Sequence, residues 1–478
     1  MKTPRHTKIV ATLGPASDSL IKPLIVSGVD VFRLNFSHGS HEEHAVRIRD
    51  IRLAAADVGR FVAILADLQG PKIRIRSFAD HKPVHLNKED AFAIDVTLPE
   101  DAGCAERVGT SYTSLPSEVE PGDVLVLGDG YVQLEVQHVK DQCVHTRSLT
   151  QGVVRSRQGI NKRGGGLAAP ALTEKDKDDL RFACAQGVDY IAVSFPRDAA
   201  DMMAARELVA AEGQDCDLIA KLERAEAVAD AATLDSIISA SDAVMVARGD
   251  LGIEIGDARL MGMQKRIISR ARALNRSVIT ATQMMESMIE NPRATRAEVM
   301  DVANAVLDGT DAVMLSGETA IGKHPLETVQ SMGRIIAGAE ASDQAPLSLT
   351  PATANARIDE AVATAAMSVA ATLDGVRAVA CLTSSGNTPR LMSRMHSRLP
   401  IYALADKPRV LARMALLRNV HPVAFAAYAM DFDAVNDAAV EVLTENGAVE
   451  RGDLVILSKG DYRNVQGGTN TLKIIEVP

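Results

Sequence analysis

Eight short apolar runs, each followed by a stretch with helical spacing, recur along this chain and restrict its fold more than any other feature. They are KIVATLG from Lys8, DVFRLNFS from Asp30, FVAILADL from Phe61, DYIAVSF from Asp189, CDLIAKLE from Cys216, DAVMVARGD from Asp242, SVITATQ from Ser277 and DAVMLSGE from Asp311. Runs apolar almost throughout suit strands buried on both faces, and alternation with helices makes the pairing parallel. Most runs turn polar at their far ends, at Arg33, Asn35 and Ser37, Asp67, Ser194, Lys221 and Glu223, Asp250, Thr282 and Glu318. A charged residue that merely opens a loop explains one such end. Its repetition points to a closed (β/α)8 barrel, whose strand C-termini form the face where substrates bind. Residues two apart in a strand share a face, which places Lys221 with Glu223, and Arg33 with Asn35 and Ser37.

At 478 residues the chain has room for about three domains. The barrel is expected over 1–69 and 170–345. The insertion 70–169 does not read as strand and helix: DVLVLGDGYVQLEVQ and QCVHTRSLT alternate in hydropathy between Gly-rich turns, as in a small β-barrel lid over the active-site face. PLSLTPATANAR, from Pro346, reads as a linker, and 346–478 repeats a simpler pattern through VRAVACL, LPIYALA and GDLVILS. The expected fold class is α/β: a TIM (β/α)8 barrel with an inserted β-barrel lid and a C-terminal α/β domain.

Composition narrows the partners. A net charge of -10 and the absence of Trp leave neither a basic face for a phosphate backbone nor an aromatic ladder for bases, so no nucleic acid is expected. No run of eighteen apolar residues suggests a membrane span. Cys104, Cys143, Cys184, Cys216 and Cys381 stand singly, and MKTPRHTKIV has no apolar signal region, so a cytoplasmic location is expected.

Two carboxylates at neighbouring strand ends, Glu223 and Asp250, suit Mg2+, which takes one or two protein carboxylates and completes its shell with water and substrate oxygens. Mn2+ is a permitted substitute. The competing reading is a structural ion pair between Glu223 and Lys221. Gly249 and Asp250 sit where a strand turns into a short helix, whose free N–H groups would hold a substrate carboxylate, and Thr282 offers a hydroxyl at the next strand end. GETAIGKH, from Gly317, nearly matches a phosphate-cradling loop, but His324 replaces the required Ser or Thr and excludes it. His38, alone in a loop, reads as structural.

Taken in order, TKIVATLGPAS, FRLNFSHG, DLQGPKIR, KLERAEAV, MVARGDLG, ITATQMMESM and DGTDAVMLSGET resemble the pyruvate kinase family, in its bacterial type. The resemblance implies phosphoryl transfer from phosphoenolpyruvate to ADP, giving pyruvate and ATP. It implies that Lys221 stabilises the phosphoryl group in flight, that Glu223 and Asp250 hold Mg2+, and that Arg33 binds the substrate phosphate. Gly249, Asp250 and Thr282 would fix the rest of the substrate, with Arg74 over the nucleotide phosphates. It also implies a homotetramer.

The chain departs from the pattern twice. Potassium-dependent members carry a threonine after the strand-end aspartate and a glutamate shortly beyond, where this chain has Leu68 and Lys72. The ammonium of Lys72 is expected to replace potassium, leaving Asn35, Ser37 and Asp67 as hydrogen-bonding groups, so potassium is not required. In RSRQGINKRGGG, Gln158 replaces a nucleotide-contacting lysine, and Arg157 is expected to compensate. TSSGNTPR, between a strand and a helix, reads either as N-capping by one hydroxyl or as an anion site; the resemblance implies the loop that binds an effector phosphate, through Thr383, Ser384, Ser385, Gly386, Asn387 and Thr388, with Asn387 where many members have arginine. A phosphorylated metabolite is therefore an expected partner. The rival readings are a magnesium-dependent enolate lyase or aldolase, which has no need of the lid or Arg74, and a catalytically silent metabolite-sensing scaffold.

Overall fold

All eight expected strands form, and they close in one ring. They are Lys8–Thr12, Val31–Asn35, Ala63–Asp67, Tyr190–Val193, Asp217–Leu222, Ala243–Ala247, Ser277–Ala281 and Ala312–Leu315, each parallel to its sequence neighbour, with the last paired to the first. The computed structural model describes residues 5–128, 130–342, 357–395, 397–427, 430, 434–461 and 467–478. The expected linker, up to residue 356, lies outside the described residues.

Alternation along each strand builds two cores at once. Val31, Leu65, Ile219 and Ile279 fill the barrel interior, while Phe32, Ile64, Leu218 and Val278 pack outward against the helices. This double burial explains why the strands read as unbroken apolar runs. The same parity fixes the site, because Arg33, Asp67 and Lys221 follow Val31, Leu65 and Ile219 by two residues and point inward at the strand tips.

The opposite rim is held by aspartates at the starts of the runs. Asp30 accepts the Ile9 N–H at 2.9 Å, Asp189 that of Ile64 at 2.7 Å, Asp242 that of Leu218 at 2.8 Å and Asp311 that of Val278 at 3.0 Å. Each carboxylate thus satisfies a backbone donor on a neighbouring strand. Asp311 also pairs with the buried Arg394 of the C-terminal sheet domain, while Lys8 Nζ donates to the Val420 carbonyl at 2.7 Å. The second α/β unit is seated on the floor, away from the strand tips.

The insertion forms a β lid around its own core, which includes Ile75, Phe92, Leu125, Leu134 and Val144. Its sheet runs Ile160–Lys162, Val124–Leu127, Val132–Lys140, Cys143–Ser148, Ala91–Asp95 and Arg107–Gly109, beside a two-stranded ladder of Gly152–Val154 with Val84–Leu86. Gly70 is the junction. It has φ +68°, and a Cβ there would lie 2.6 Å from the Ser194 Cβ, so only glycine lets the chain leave the barrel so close to the fourth strand.

The C-terminal sheet runs Val420–Ala424, Ile401–Ala405, Val376–Leu382, Leu454–Lys459 and Thr471–Glu476, parallel except for the last strand. Separate apolar clusters cover its two faces, as in a doubly wound domain. No helix among the described residues is long and apolar enough to cross a membrane.

Candidate active site

Three cations and three carboxylates converge where the second, third, fifth and sixth strands end. Arg33 Nε lies 2.5 Å from Asp67 Oδ2, and its Nη1 donates to Thr12 Oγ1 at 3.0 Å. Lys221 Nζ sits 3.3 Å from Asp67 Oδ1, 3.0 Å from Glu223 Oε1 and 2.7 Å from Ser194 Oγ. Lys72 crosses from the start of the lid, and its Nζ lies 3.1 Å from Asp250 Oδ1.

Electrostatics divide the carboxylates. Burial opposes ionisation of Asp67, but Lys221 and Arg33 outweigh it and hold the group below the usual range. For Lys221 burial again opposes the charge, while Asp67 and Glu223 raise its pKa and keep it protonated. Glu223 goes the other way: burial lifts its pKa, Lys221 counteracts this, and the nearby charge of Asp250 adds to the rise. Glu223 and Asp250 are therefore an acidic pair with incomplete compensation, the environment a divalent cation would relieve. Among the described residues no group of three or more His, Cys, Asp and Glu could hold a metal. Two protein carboxylates with the remaining ligands from water and substrate is the Mg2+ pattern, and the donor set fits it.

The sixth strand runs into the helix Arg248–Ile255, which carries Gly249 and Asp250. The Gly249 amide, expected to face a substrate carboxylate, is not free: it donates to Thr282 Oγ1 at 2.8 Å. Thr282 has φ +68° and Gln283 φ +52°, and this left-handed turn aims the hydroxyl at the start of the helix. A Cβ at Gly249 would meet Thr282 Oγ1 at an ordinary 3.7 Å, so packing alone does not demand glycine.

Sequence reasoning missed the residue that holds this turn. Arg248, 6% exposed, donates from Nη2 to the Thr282 and Gln283 carbonyls at 2.7 and 3.1 Å, and from Nη1 to Asp301 Oδ1 at 2.7 Å. The signal available was an arginine at the end of an apolar strand, but its acceptors are backbone atoms of a distant loop. Arg248→Met should destabilise the fold by about 2–3 kcal/mol, because several buried acceptors lose their donor, and should slow turnover as Thr282 relaxes. A urea midpoint equal to that of the parent would contradict this.

The remaining expectations fall in several places. Asn35 closes its own turn, accepting the Ser37 N–H at 3.1 Å. Glu318 accepts backbone N–H groups of Ser316 and Met285 at 2.6 and 3.2 Å, a loop-holding part. The backbone carbonyl of His38 meets a His44 ring nitrogen at 2.9 Å. On the lid, Arg74 Nη1 donates to the Arg157 carbonyl at 3.0 Å, and the Arg157 side chain is exposed with backbone φ +63°. Gln158 accepts the Arg155 N–H at 3.0 Å and closes its own turn.

The loop Thr383–Thr388 follows the strand Val376–Leu382 and opens the helix Asn387–Ser393. Thr383 Oγ1 accepts the Gly386 N–H at 2.8 Å, Thr388 Oγ1 shares a 2.7 Å bond with Thr469, and Asn387 Nδ2 donates to Asp359 at 2.7 Å. Of the six residues, Thr383 closes the loop itself, while Asn387 and Thr388 tie it to Asp359 and Thr469.

A closed parallel barrel with paired cations and acids at its strand tips, and a lid reaching over them, defines a barrel enzyme that acts on small charged substrates. Residues 4–329 match the family model described as pyruvate kinase, barrel domain, and 360–475 match pyruvate kinase, alpha/beta domain. The chain is similar to pyruvate kinase II of Salmonella typhimurium, 52% identical over 99% of each chain. It is similar too to pyruvate kinase of Haemophilus influenzae, 49% identical over 98% of this chain and 97% of the other, and of Corynebacterium glutamicum, 41% identical over 98% and 97%. The chain belongs to the pyruvate kinase family, whose members are phosphotransferases of glycolysis and generally need Mg2+.

Proposed function

We propose that this chain transfers the phosphoryl group of phosphoenolpyruvate to ADP, giving pyruvate and ATP, at the strand-tip cluster. The observation that carries the reading is Lys221, held charged between Asp67 and Glu223 beside the Glu223–Asp250 acidic pair. Phosphoryl transfer passes through a loose transition state with charge spread over its equatorial oxygens, and positioned cations are what stabilises it. In this reading Arg33 binds the substrate phosphate, and Lys221 meets the moving group. Thr282 and the start of the Gly249–Asp250 helix orient the carboxylate end, with the Gly249 amide exchanging its Thr282 partner for substrate. Glu223 and Asp250 would hold Mg2+, or Mn2+ in its place, which when bound neutralises phosphoryl oxygens. Arg74 and Arg157 face the nucleotide phosphates from the lid. A coupled assay for ATP formation should detect turnover with phosphoenolpyruvate and ADP, and a folded sample that makes none would defeat the reading. A lyase or aldolase would instead cleave its substrate without ADP.

Arg157→Ala should raise the half-saturating ADP concentration roughly threefold to tenfold, the loss of one exposed charge-assisted contact to phosphate. Unchanged ADP dependence would remove Arg157 from the nucleotide site.

We further infer potassium independence, with the Lys72 ammonium supplying the positive charge that potassium supplies elsewhere and Asn35, Ser37 and Asp67 left as hydrogen-bonding groups. Its support is the 3.1 Å approach to Asp250. The loop holding Ser384 and Ser385 would bind the phosphate of an allosteric effector: fructose 1,6-bisphosphate, another sugar phosphate or a nucleotide. Those two hydroxyls have no partner among the described residues, and the helix start adds amides. Stabilisation in a thermal-shift screen of phosphorylated metabolites is expected. Homotetramer assembly, to be checked by light scattering, and a cytoplasmic location, in keeping with five unpaired cysteines, complete the reading.

A further inference from the structure

The lid touches the helix Arg248–Ile255 at both ends. It leaves the barrel through Lys72, which reaches Asp250 in the first turn, and returns through Ile160–Lys162 past the last turn. There the Gly164 N–H donates to the Glu254 carbonyl at 2.9 Å, and Asn161 Nδ2 lies 3.5 Å from Glu254 Oε1. Glu254 is only 6% exposed, and its other carboxylate oxygen accepts the Ala225 N–H at 2.7 Å, two residues beyond Glu223.

One buried side chain therefore joins the lid's return leg, the helix of Asp250 and the strand end of Glu223. Residues beside Ala225 reinforce the junction: Glu226 accepts the Gly166 N–H of the lid, and the Arg224 guanidinium donates to the Leu167 carbonyl. A carboxyl in this position is expensive. Burial pushes its pKa up to about 7 against the Ala225 amide; Glu226 adds to the rise and Arg224 opposes it. An apolar residue would be cheaper if packing were the only requirement.

We propose that Glu254 is a positioning residue that registers the lid against the Asp250 helix and the Glu223 strand end, so that lid position sets the spacing of the divalent-ion carboxylates. The proposal rests on the assignment of Glu223 and Asp250 to that ion. The helix has eight residues, spans about 12 Å and is held by the lid at both ends, so a shift of the lid would be passed on to Asp250.

The test is Mn2+ binding to the full chain, followed by water-proton relaxation without substrates. Glu254→Ala should weaken binding roughly tenfold, the usual cost of removing a group that orients metal ligands. Glu254→Gln keeps an acceptor for the Ala225 amide and should stay within about threefold of the parent. Adding Asn161→Ala to Glu254→Ala should cost nothing more, because the two residues act through one link. In turnover the half-saturating metal concentration should rise while kcat at saturating metal changes little. Unchanged Mn2+ binding in Glu254→Ala, with only a lower thermal midpoint, would leave Glu254 a packing residue and overturn the proposal. If Glu254→Ala does not fold, Asn161→Ala alone decides, with weaker Mn2+ binding expected and parental binding fatal. Failure of the underlying assignment has its own signature: Glu223→Gln and Asp250→Asn would then bind Mn2+ as the parent does, and the coupling falls with it.

Discussion

Replacing Lys221 with methionine should lower turnover by roughly a thousandfold or more while the barrel still closes. Methionine matches the length of the lysine stem, so the interior beside Ile219 keeps its packing and the change is chiefly one of charge. The lost ammonium is the only cation within 3.3 Å of both Asp67 and Glu223, among the described residues. Asp67 keeps Arg33 at 2.5 Å, but Glu223 is left with the Phe195 N–H at 3.0 Å against burial and the like charge of Asp250, so its pKa rises further. A raised carboxyl pKa costs stability as pH rises through it and costs nothing once both folded and unfolded states are protonated. The variant's thermal midpoint should therefore fall most at neutral and alkaline pH and approach the parent's in acid. Metal binding should persist at alkaline pH, where Glu223 is ionised and the ammonium no longer competes for its Oε1, and should weaken toward acid as the raised pKa protonates the ligand. Collapse of kcat with Mn2+ affinity retained at alkaline pH is the expected signature. Turnover within about tenfold of the parent, in a sample with native circular dichroism, would remove Lys221 from the chemistry.

The barrel was legible because strands buried on both faces leave unbroken apolar runs, and their polar tips mark one face. Strand parity then grouped Lys221 with Glu223, and Arg33 with Asn35 and Ser37, while the inward direction of that face came only with the closed ring. What stayed hidden depends on partners distant in the chain. Asp30, Asp189, Asp242 and Asp311 look like ordinary loop residues until the ring closes and their carboxylates meet backbone donors of neighbouring strands. Arg248 reads as a strand-end charge, yet it grips carbonyls 34 and 35 residues further on. Thr282 was legible as a hydroxyl at a strand end, but not as the partner of the Gly249 amide, because that pairing needs a left-handed backbone in a residue that rarely adopts it. Glu254 was invisible, because LGIEIG offers no pattern that separates a buried acid from a surface one.

Lys72→Met should reduce turnover in sodium buffer by roughly a hundredfold, the cost of removing one fixed electrostatic group from a closed site. The unaltered chain should run equally well in sodium and potassium. Lys72 Nζ lies 3.1 and 3.3 Å from the two Asp250 oxygens, and its side chain is 32% exposed, so solvent screens the pair only in part. At an effective dielectric of about 20 a unit charge 4 Å away is worth about 4 kcal/mol at most, ample for such an effect. Potassium should not rescue Lys72→Met, because neither the thioether nor the Leu68 side chain offers a hard oxygen to a monovalent ion. The double variant Leu68→Thr with Lys72→Glu is different. It changes the local charge by two units and restores at both positions the hydroxyl and the carboxylate that potassium-dependent members carry, so it lacks positive charge while regaining the groups that accompany the ion there. Turnover of this variant should be low in sodium and rise with potassium, and the rise should saturate as a bound ion would. Strong potassium activation of the unaltered chain, or a double variant indifferent to potassium, would show that the Lys72 ammonium does not stand in for the ion.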